Sequence, residues 1–217
     1  MQTISMSQIY TAILQTLYMI FIPLLIGSIF GTILGILMVV TRPKGILENK
    51  YVYEILNPIV NIFRSIPFII LMVAIVPFTK LIVGSSIGTD AALVPLTVFI
   101  IPYISRLVEN SLLEVSSGTI EAAEAMGATP FQIIWHFLLP EAMGSLVLSL
   151  TTATIGLIGA TAMAGTIGGG GIGDIAISYG YERFDTKVMI ITVILLIIFV
   201  QVIQTIGNIL SRKLRRG

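Results

Sequence analysis

The sequence predicts an all-α, polytopic membrane protein, and three observations support this fold class. Of the 217 residues, 56% are hydrophobic and 11% are charged, whereas a soluble domain carries about 25% charged residues. Apolar residues occur in long uncharged runs, unlike the short alternating segments of an outer-membrane barrel. The lack of cysteine excludes disulfides, and a single histidine disfavours a metal site built from imidazoles.

Five apolar stretches are long enough to cross a bilayer, which requires roughly 20 residues. No charged residue precedes Arg42, and neither a basic start nor a small-residue cleavage site indicates a signal peptide. We therefore expect one transmembrane domain over residues 1–217. Its spans are expected at about residues 9–40, 58–84, 91–116, 143–166 and 188–211.

Two features within these spans predict helix packing. Gly27, Gly31 and Gly35 recur every four residues, a spacing that lets another helix approach closely. Packing inside one chain is favoured over a seam between two copies. In the third span, Arg106 and Glu109 are three residues apart and are expected to form a structural ion pair.

The distribution of basic residues predicts the orientation. Five spans place the two ends on opposite sides, and the side richer in Lys and Arg is the inner one. The sequence thus predicts an outer N-terminus, an inner C-terminus and a cytoplasmic segment at residues 117–142. Inner segments then hold eight basic residues, outer segments three, and a boundary one: Arg42, Lys44, Lys50, Arg106, Arg212, Lys213, Arg215 and Arg216 inside; Lys80, Arg183 and Lys187 outside; Arg64 at the boundary.

Residues 117–142 predict two short helices outside the bilayer. Good helix formers run from Glu121 to Met126, and Gly127 is expected to end that helix. Thr129 followed by Pro130 is typical of an N-cap and the first helical position.

The second of these helices is expected to present one apolar face and to end at Pro140. We expect it to meet the first helix at roughly a right angle. The predicted face, with residues three and four apart, consists of Phe131, Ile134, Trp135 and Leu138.

The same stretch resembles the EAA loop of ABC-importer permeases. The matching residues are Glu121-Ala122-Ala123, then Gly127 after three intervening residues, and Phe137-Leu138-Leu139-Pro140 after nine more, with Phe137 where the family usually has isoleucine. In that family the loop is a coupling helix that sits in a groove of a cytoplasmic ATPase subunit. A plain amphipathic helix between two spans is the alternative. The resemblance implies an ATPase-coupling role for Glu121, Ala122, Ala123, Gly127, Leu139 and Pro140.

Two further segments resemble importer permeases. Arg64-Ser65-Ile66-Pro67 is similar to an arginine–proline element of amino-acid importers, and residues 171–181 are similar to methionine importer permeases. This resemblance implies a homodimer in the bacterial cytoplasmic (inner) membrane, surrounded by lipid. It also implies two separate ATP-binding cassette ATPase subunits that hold ATP and Mg, and an extracytoplasmic solute-binding protein. No cofactor of this chain and no nucleic acid are implied.

The fourth span is rich in Ser, Thr, Gly and Ala, so it is expected to pack closely or to line a path. Met163 is a bulky side chain among small ones, and in a dimer it would form an apolar gate. Plain packing by a flexible side chain is the alternative. The glycine-rich residues 165–173 lack the Lys-Ser or Lys-Thr of a phosphate loop and predict a flexible extracellular turn.

No nucleophile–base pair or nucleotide site can be assembled from these residues, so the chain is predicted to be non-catalytic. Glu121, Glu124 and Glu141 have no basic residue nearby in sequence. Uphill transport would therefore draw its energy from a partner. The resemblance implies methionine import by alternating access. A permease for another amino acid or small solute, an ATP-independent carrier or channel, and a scaffold protein are the alternatives.

Overall fold

A computed structural model describes residues 4–215, which form helices joined by short connections. Two π-helical turns, Ile133–Leu138 and Ala176–Tyr181, directly follow the seventh and ninth α-helices. Within the described residues the α-helices, α1 to α10 in chain order, are Met6–Thr41, Lys50–Ser65, Phe68–Ala74, Val76–Val83, Thr89–Leu113, Ser117–Ala125, Pro130–Gln132, Leu139–Gly165, Gly171–Ile175 and Thr186–Leu214.

Over residues 4–215, four helical stretches are long and apolar enough to cross a membrane. A fifth candidate combines α2 and α3, which meet at an angle of 101°. The all-helical prediction is therefore confirmed, with four or five candidate spans. Arg216, one of the basic residues assigned to the inner side, lies outside the described residues. The four stretches are Met6–Thr41, Thr89–Leu113, Pro130–Gly165 and Thr186–Leu214.

The second span, predicted at 58–84, is not one straight helix in the structure. Ile66 is extended, with φ −81° and ψ 121°, because the residue before a proline is driven away from the helical region, and Pro67 follows it. The chain therefore turns sharply between α2 and α3. A second break at Ile75 precedes Pro77, which occupies the first turn of α4 where its missing N–H costs little.

Helix α5 is the central element of the bundle and packs against α1, α2, α3 and α8. Its buried side chains recur every four residues, so they form one ridge along the helix. Pro95 and Pro102 lie inside the helix, as is tolerated where neighbouring helices surround it. The ridge comprises Leu96, Ile100, Ile104, Val108 and Leu112.

The glycine series of α1 packs against this ridge within one chain, as predicted. A Cβ added at Gly31 would lie 2.8 Å from the Ile104 side chain and 2.9 Å from the carbonyl oxygen of Ile101. At Gly35 it would lie 2.7 Å from the carbonyl oxygen of Ser105. Since backbone atoms cannot move aside as a side chain can, glycine is required for this helix separation.

The glycine-rich segment after α8 was predicted to be a flexible extracellular turn, but its last residues, 171–173, begin a helix. Helix α9 is buried, and a Cβ at Gly173 would lie 2.4 Å from Cα of Ala162. The first amides of α9 are capped by α1: Gly171 N–H donates to Gln15 Oε1 and Ile172 N–H to Thr16 Oγ1, both at 2.9 Å. The caps come from a distant part of the chain, so no local pattern indicates them.

We expect Gly31→Ala to destabilise the protein by about 1–3 kcal/mol, as overpacking does, although alanine normally favours a helix interior. Thermal unfolding of the purified protein in detergent measures this change. Gly118→Ala in α6 is the matched control, because its Cβ would meet only Ser116 Oγ, at 3.5 Å. Equal midpoints for Gly31→Ala and the unmodified protein would contradict the close contact.

Candidate functional site

The turn after α6 is closed by a Schellman motif centred on Gly127. Ala128 N–H donates to the carbonyl of Ala123 at 3.1 Å, and Gly127 N–H donates to that of Glu124 at 2.9 Å. Gly127 has φ +80°, the left-handed conformation that glycine adopts without strain. The predicted helix stop at Gly127 is therefore confirmed.

The start of α7 is fixed by a capping box, also as predicted. Gln132 N–H donates to Thr129 Oγ1 at 3.4 Å, while Thr129 N–H donates to Gln132 Oε1 at 2.8 Å. Pro130 occupies the first turn. The two motifs leave the residues between α6 and α7 little freedom, so the connection is rigid. The angle between the two helices stays a prediction.

The predicted helix end at Pro140 is wrong. The π-helical turn Ile133–Leu138 leads directly into α8, and Leu139 N–H donates to the carbonyl of Ile134, five residues earlier. Pro140 lies in the first turn of α8, where the locally wider hydrogen-bonding pattern accommodates its ring and its missing N–H. Residues 130–165 are consequently one continuous helical stretch rather than a short helix followed by a span.

The π-helical turn also changes which side chains are buried. Ile133 and Leu138 are buried because residues five apart share a face in a π-helix. Phe131 and Trp135 are 68% and 56% exposed. The single apolar face predicted for Phe131, Ile134, Trp135 and Leu138 is therefore wrong: part of it packs inward and part projects outward.

We define the knob surface by its exposed residues, which are apolar side chains beside acidic ones. The Phe131 and Trp135 rings contact each other with centroids 5.9 Å apart, and Met126 is also exposed. An exposed apolar group with a charged margin is typical of a protein interaction site. The knob surface consists of Glu121, Ala122, Glu124, Met126, Gly127, Phe131 and Trp135.

The remaining residues of the resemblance lie behind this surface. Ala123 is completely buried, and Leu139 packs partly buried against the core. Pro140 is exposed in the first turn of α8. The six residues to which the resemblance gives an ATPase-coupling role therefore include both exposed residues of the knob surface and residues packed behind it.

The acids of the knob surface face basic residues that are distant in sequence. Glu121 and Glu124 line a cavity of about 380 Å³ together with Arg42 and Lys44 from the connection between α1 and α2. The sequence offered no basic residue close to these acids, and the fold brings two to the same cavity. Among residues 4–215, no group of three His, Asp or Glu side chains is arranged to hold a metal ion.

Met163 lies near the far end of α8 from the knob surface, and its side chain is 48% exposed. It shares an exposed strip with Thr152, Gly159 and Thr166, at helical spacings of seven, four and three. A Cβ added at Gly159 would have no neighbour within 4 Å in this chain. The strip is thus a free surface of small residues in which Met163 is the one bulky side chain.

A polar clamp that the sequence did not reveal connects α2 to α5. Arg106 forms the predicted ion pair with Glu109, and its second terminal nitrogen donates to Asn57 Oδ1 and Asn61 Oδ1, each at 2.7 Å. The two asparagines are four residues apart on one helix face. That spacing was the available signal, but it indicates no partner by itself.

The fold and the site together define a polytopic helical membrane protein with an exposed apolar and acidic surface at one end of its bundle. The family model described as "Binding-protein-dependent transport system inner membrane component" matches residues 27–216. The chain therefore belongs to this family of transport-system membrane components.

Similarity to individual transport proteins is consistent with membership of this family. The chain is 52% identical over 203 residues to a protein of Vibrio cholerae named probable D-methionine transport system permease protein MetI, covering 94% of this chain and 90% of that protein. It is 54% identical over 151 residues to the D-methionine transport system permease protein MetI of Yersinia pestis, covering 70% of each. A solved structure described as an inward-facing conformation of the MetNI methionine ABC transporter is similar at a TM-score of 0.93 and 47% identity, covering 96% of this chain and 97% of that one.

We expect Gly127→Val to open the Schellman turn, because a β-branched residue in the left-handed region costs about 1–2 kcal/mol. In this variant, hydrogen exchange of the backbone amides at positions 127 and 128 should be roughly tenfold faster than in the unmodified protein, in line with that cost. Gly127→Asn is the control, since asparagine tolerates this conformation and space around the Cβ position is open. Unchanged exchange in Gly127→Val would show that the turn does not depend on glycine.

Proposed function

We propose that this chain is the permease subunit of an ATP-driven ABC importer and that two copies form the translocation path for methionine by alternating access. The membership of the family and the named relatives support the transport class and the substrate. The observation that carries the mechanism is the rigid knob surface at the start of a continuous helix that reaches Met163.

The proposed setting is the bacterial cytoplasmic membrane, with residues 1–217 as one multi-pass permease domain. We assign the second span of the chain, predicted at 58–84, to the broken pair α3 and α4, with the end of α2 (residues 58–65) lying along the membrane surface. The N-terminus is outside and the C-terminus inside, because this orientation places most basic residues on the inner side. The knob surface then faces the cytoplasm.

In this orientation the knob surface, a coupling helix of the EAA-loop type, docks into a groove of a cytoplasmic ATPase subunit. Exposed Phe131 and Trp135 provide apolar anchors, and Glu121 provides charge for orientation. Ala122 and Gly127 complete the contact, while Ala123, Leu139 and Pro140 hold the surface in place. Two ATPase subunits, one for each permease copy, bind the ATP and Mg.

Movement of the docked surface is passed to the membrane through one helix. The run from Phe131 to Met163 extends roughly 48 Å at about 1.5 Å per residue. Because the π-helical turn keeps the chain helical past Pro140, a displacement at the knob surface tilts α8 directly. ATP binding and hydrolysis thereby exchange inward-facing and outward-facing arrangements, each stabilised by its own contacts.

Met163 is proposed as an apolar gate between the two copies. Its exposed side chain projects from the strip of small residues on α8, so two copies facing each other would bring two such side chains near the twofold axis. A narrow apolar constriction stops leakage by excluding water. The strip around it leaves room for a solute when the constriction opens.

An ATP-independent carrier is the second candidate, and one contact disfavours it. Ion-coupled carriers use ionisable groups inside the membrane as ion or proton sites. Within the described part of α5, the buried Glu109 is already engaged by Arg106. Solute selectivity is assigned to an extracytoplasmic binding protein, so a permease for another small solute differs from this proposal only in its substrate.

We expect Trp135→Ala to weaken association with the ATPase subunit about 30-fold, as loss of a central aromatic anchor does. Glu121→Arg should weaken it about tenfold through charge reversal. Both variants should lose ATP-driven methionine uptake in proteoliposomes that also contain the ATPase and binding protein. Binding is measured by titration of the purified ATPase subunit.

Glu54→Arg is the matched control, because Glu54 is an exposed acid on α2 outside the knob surface. It should bind the ATPase subunit and transport methionine normally.

Uptake of labelled methionine should be reduced by unlabelled methionine and not by a panel of other amino acids. Normal ATPase binding by both knob variants would contradict the docking role, and uptake without ATP would favour the carrier.

We expect Met163→Ala to raise passive leakage of small solutes through the assembled transporter about tenfold, because removing the apolar side chain widens and hydrates the constriction. Efflux of a trapped fluorescent solute from proteoliposomes without ATP measures the leak. Met143→Ala on the same helix, also at an exposed methionine, is the control and should not leak. Equal efflux from Met163→Ala and Met143→Ala would contradict the proposal that Met163 forms a gate.

A further inference from the structure

The connection between the second π-helical turn and α10 carries an unusually exposed aromatic pair. Phe184 is 85% exposed and Tyr181 is 67% exposed. Phe184 also has φ +56°, a left-handed conformation that is an outlier for a bulky residue. Burial in this chain explains neither its ring nor its backbone conformation.

Hydrogen bonds hold this connection rigidly. Asp185 N–H donates to the carbonyl of Tyr179 at 3.3 Å, and Phe184 N–H donates to that of Tyr181 at 3.3 Å. Asp185 Oδ1 accepts from the amides of Lys187 and Val188 at 3.1 and 3.2 Å, which caps α10. The backbone on both sides of Phe184 is therefore hydrogen-bonded, and the ring projects outward.

The neighbouring turn is tied to another helix. The guanidinium of Arg183 lies over the Tyr179 ring at 4.3 Å, and the Tyr179 hydroxyl accepts from Gln8 Nε2 at 3.2 Å. Gln8 belongs to the first turn of α1. These contacts tie the backbone that carries Phe184 to α1, so the connection loses little freedom on binding, which favours affinity.

The charges around Phe184 favour a protein partner over lipid. Glu182 and Arg183 precede it and Asp185 follows it, so inserting the ring into the hydrocarbon would draw acidic groups towards a medium that excludes them. Charges of both signs around a solvent-exposed aromatic ring form the polar rim typical of a protein interface. The complementary partner surface would be an apolar pocket with a mixed-charge margin.

We propose that Phe184, supported by Tyr181, is the anchor through which this chain docks its extracytoplasmic solute-binding protein. This inference rests on the proposed function, because the orientation given there places residues 181–185 outside. The family description itself names a binding-protein-dependent system, which supports a folded protein as the partner. Each copy in a homodimer would contribute one such anchor.

The test uses the assembled permease–ATPase complex in nanodiscs and the purified binding protein of the same system. Phe184→Ala should raise the Kd for the binding protein about 10- to 30-fold, whereas Phe184→Trp should retain near-normal affinity. Phe21→Ala, at an exposed ring on α1, is the matched control and should leave Kd unchanged. Basal ATP hydrolysis should stay unchanged in all three variants.

A single-cysteine label separates the alternative occupants, because the natural chain has no cysteine. A fluorophore on Phe184→Cys should change its emission when binding protein is added and should not be quenched by spin-labelled lipid. Quenching by lipid without a response to the binding protein would assign the ring to the membrane. Loss of the homodimer in Phe184→Ala would assign it to the contact between copies.

Either of those two assignments overturns the proposal, as does an unchanged Kd in Phe184→Ala. The proposed function fails in a different way: the unmodified complex would then show no affinity for the binding protein and no ATP-driven uptake. The two failures are therefore distinguishable in the same set of measurements.

Discussion

The π-helical turn at residues 133–138 is the constraint on which the functional geometry depends. It keeps the chain helical through Pro140, so the exposed knob surface and the strip around Met163 belong to one stretch, Pro130–Gly165. It also determines which side chains point outward, because the five-residue repeat buries Ile133 and Leu138 and leaves Phe131 and Trp135 exposed. One local change in hydrogen bonding thus determines both the exposed knob surface and its continuous helical connection to the bundle.

The rest of the bundle provides a frame against which this stretch can act. Glycines of α1 bring two backbones close to each other along α5, and backbone contacts of this kind do not adjust gradually. Arg106 fastens α2 to the same central helix through Asn57 and Asn61. Helix α9, capped by side chains of α1, closes the opposite end. Tight packing of the other helices, together with one continuous helical stretch over Pro130–Gly165, favours a few discrete conformations of the bundle over gradual deformation.

Local signals in the sequence were sufficient where the structure depends on neighbours in the chain. The helix stop at Gly127, the cap at Thr129 and the pairing of Arg106 with Glu109 could each be predicted. Two predictions were wrong where contacts between distant residues, or an unusual hydrogen-bonding pattern, determine the local structure. No periodicity predicts a π-helical turn that accommodates Pro140, nor α1 side chains that cap α9. The break at Pro67 is different: the Ile66-Pro67 pair is a local signal for it, and it was missed because the span was predicted from hydropathy alone.

Distances between pairs of spin labels, measured by double electron–electron resonance, test most directly whether the knob surface and α8 move as one body. The chain without native cysteines permits spin labels at Ala125 and Thr152, diluted with unlabelled copies so that only distances within one chain are observed. We predict that this distance is the same without nucleotide and with bound ATP, while the Thr152–Thr152 distance between two copies changes. A change within the chain, with a constant distance between copies, would contradict this prediction.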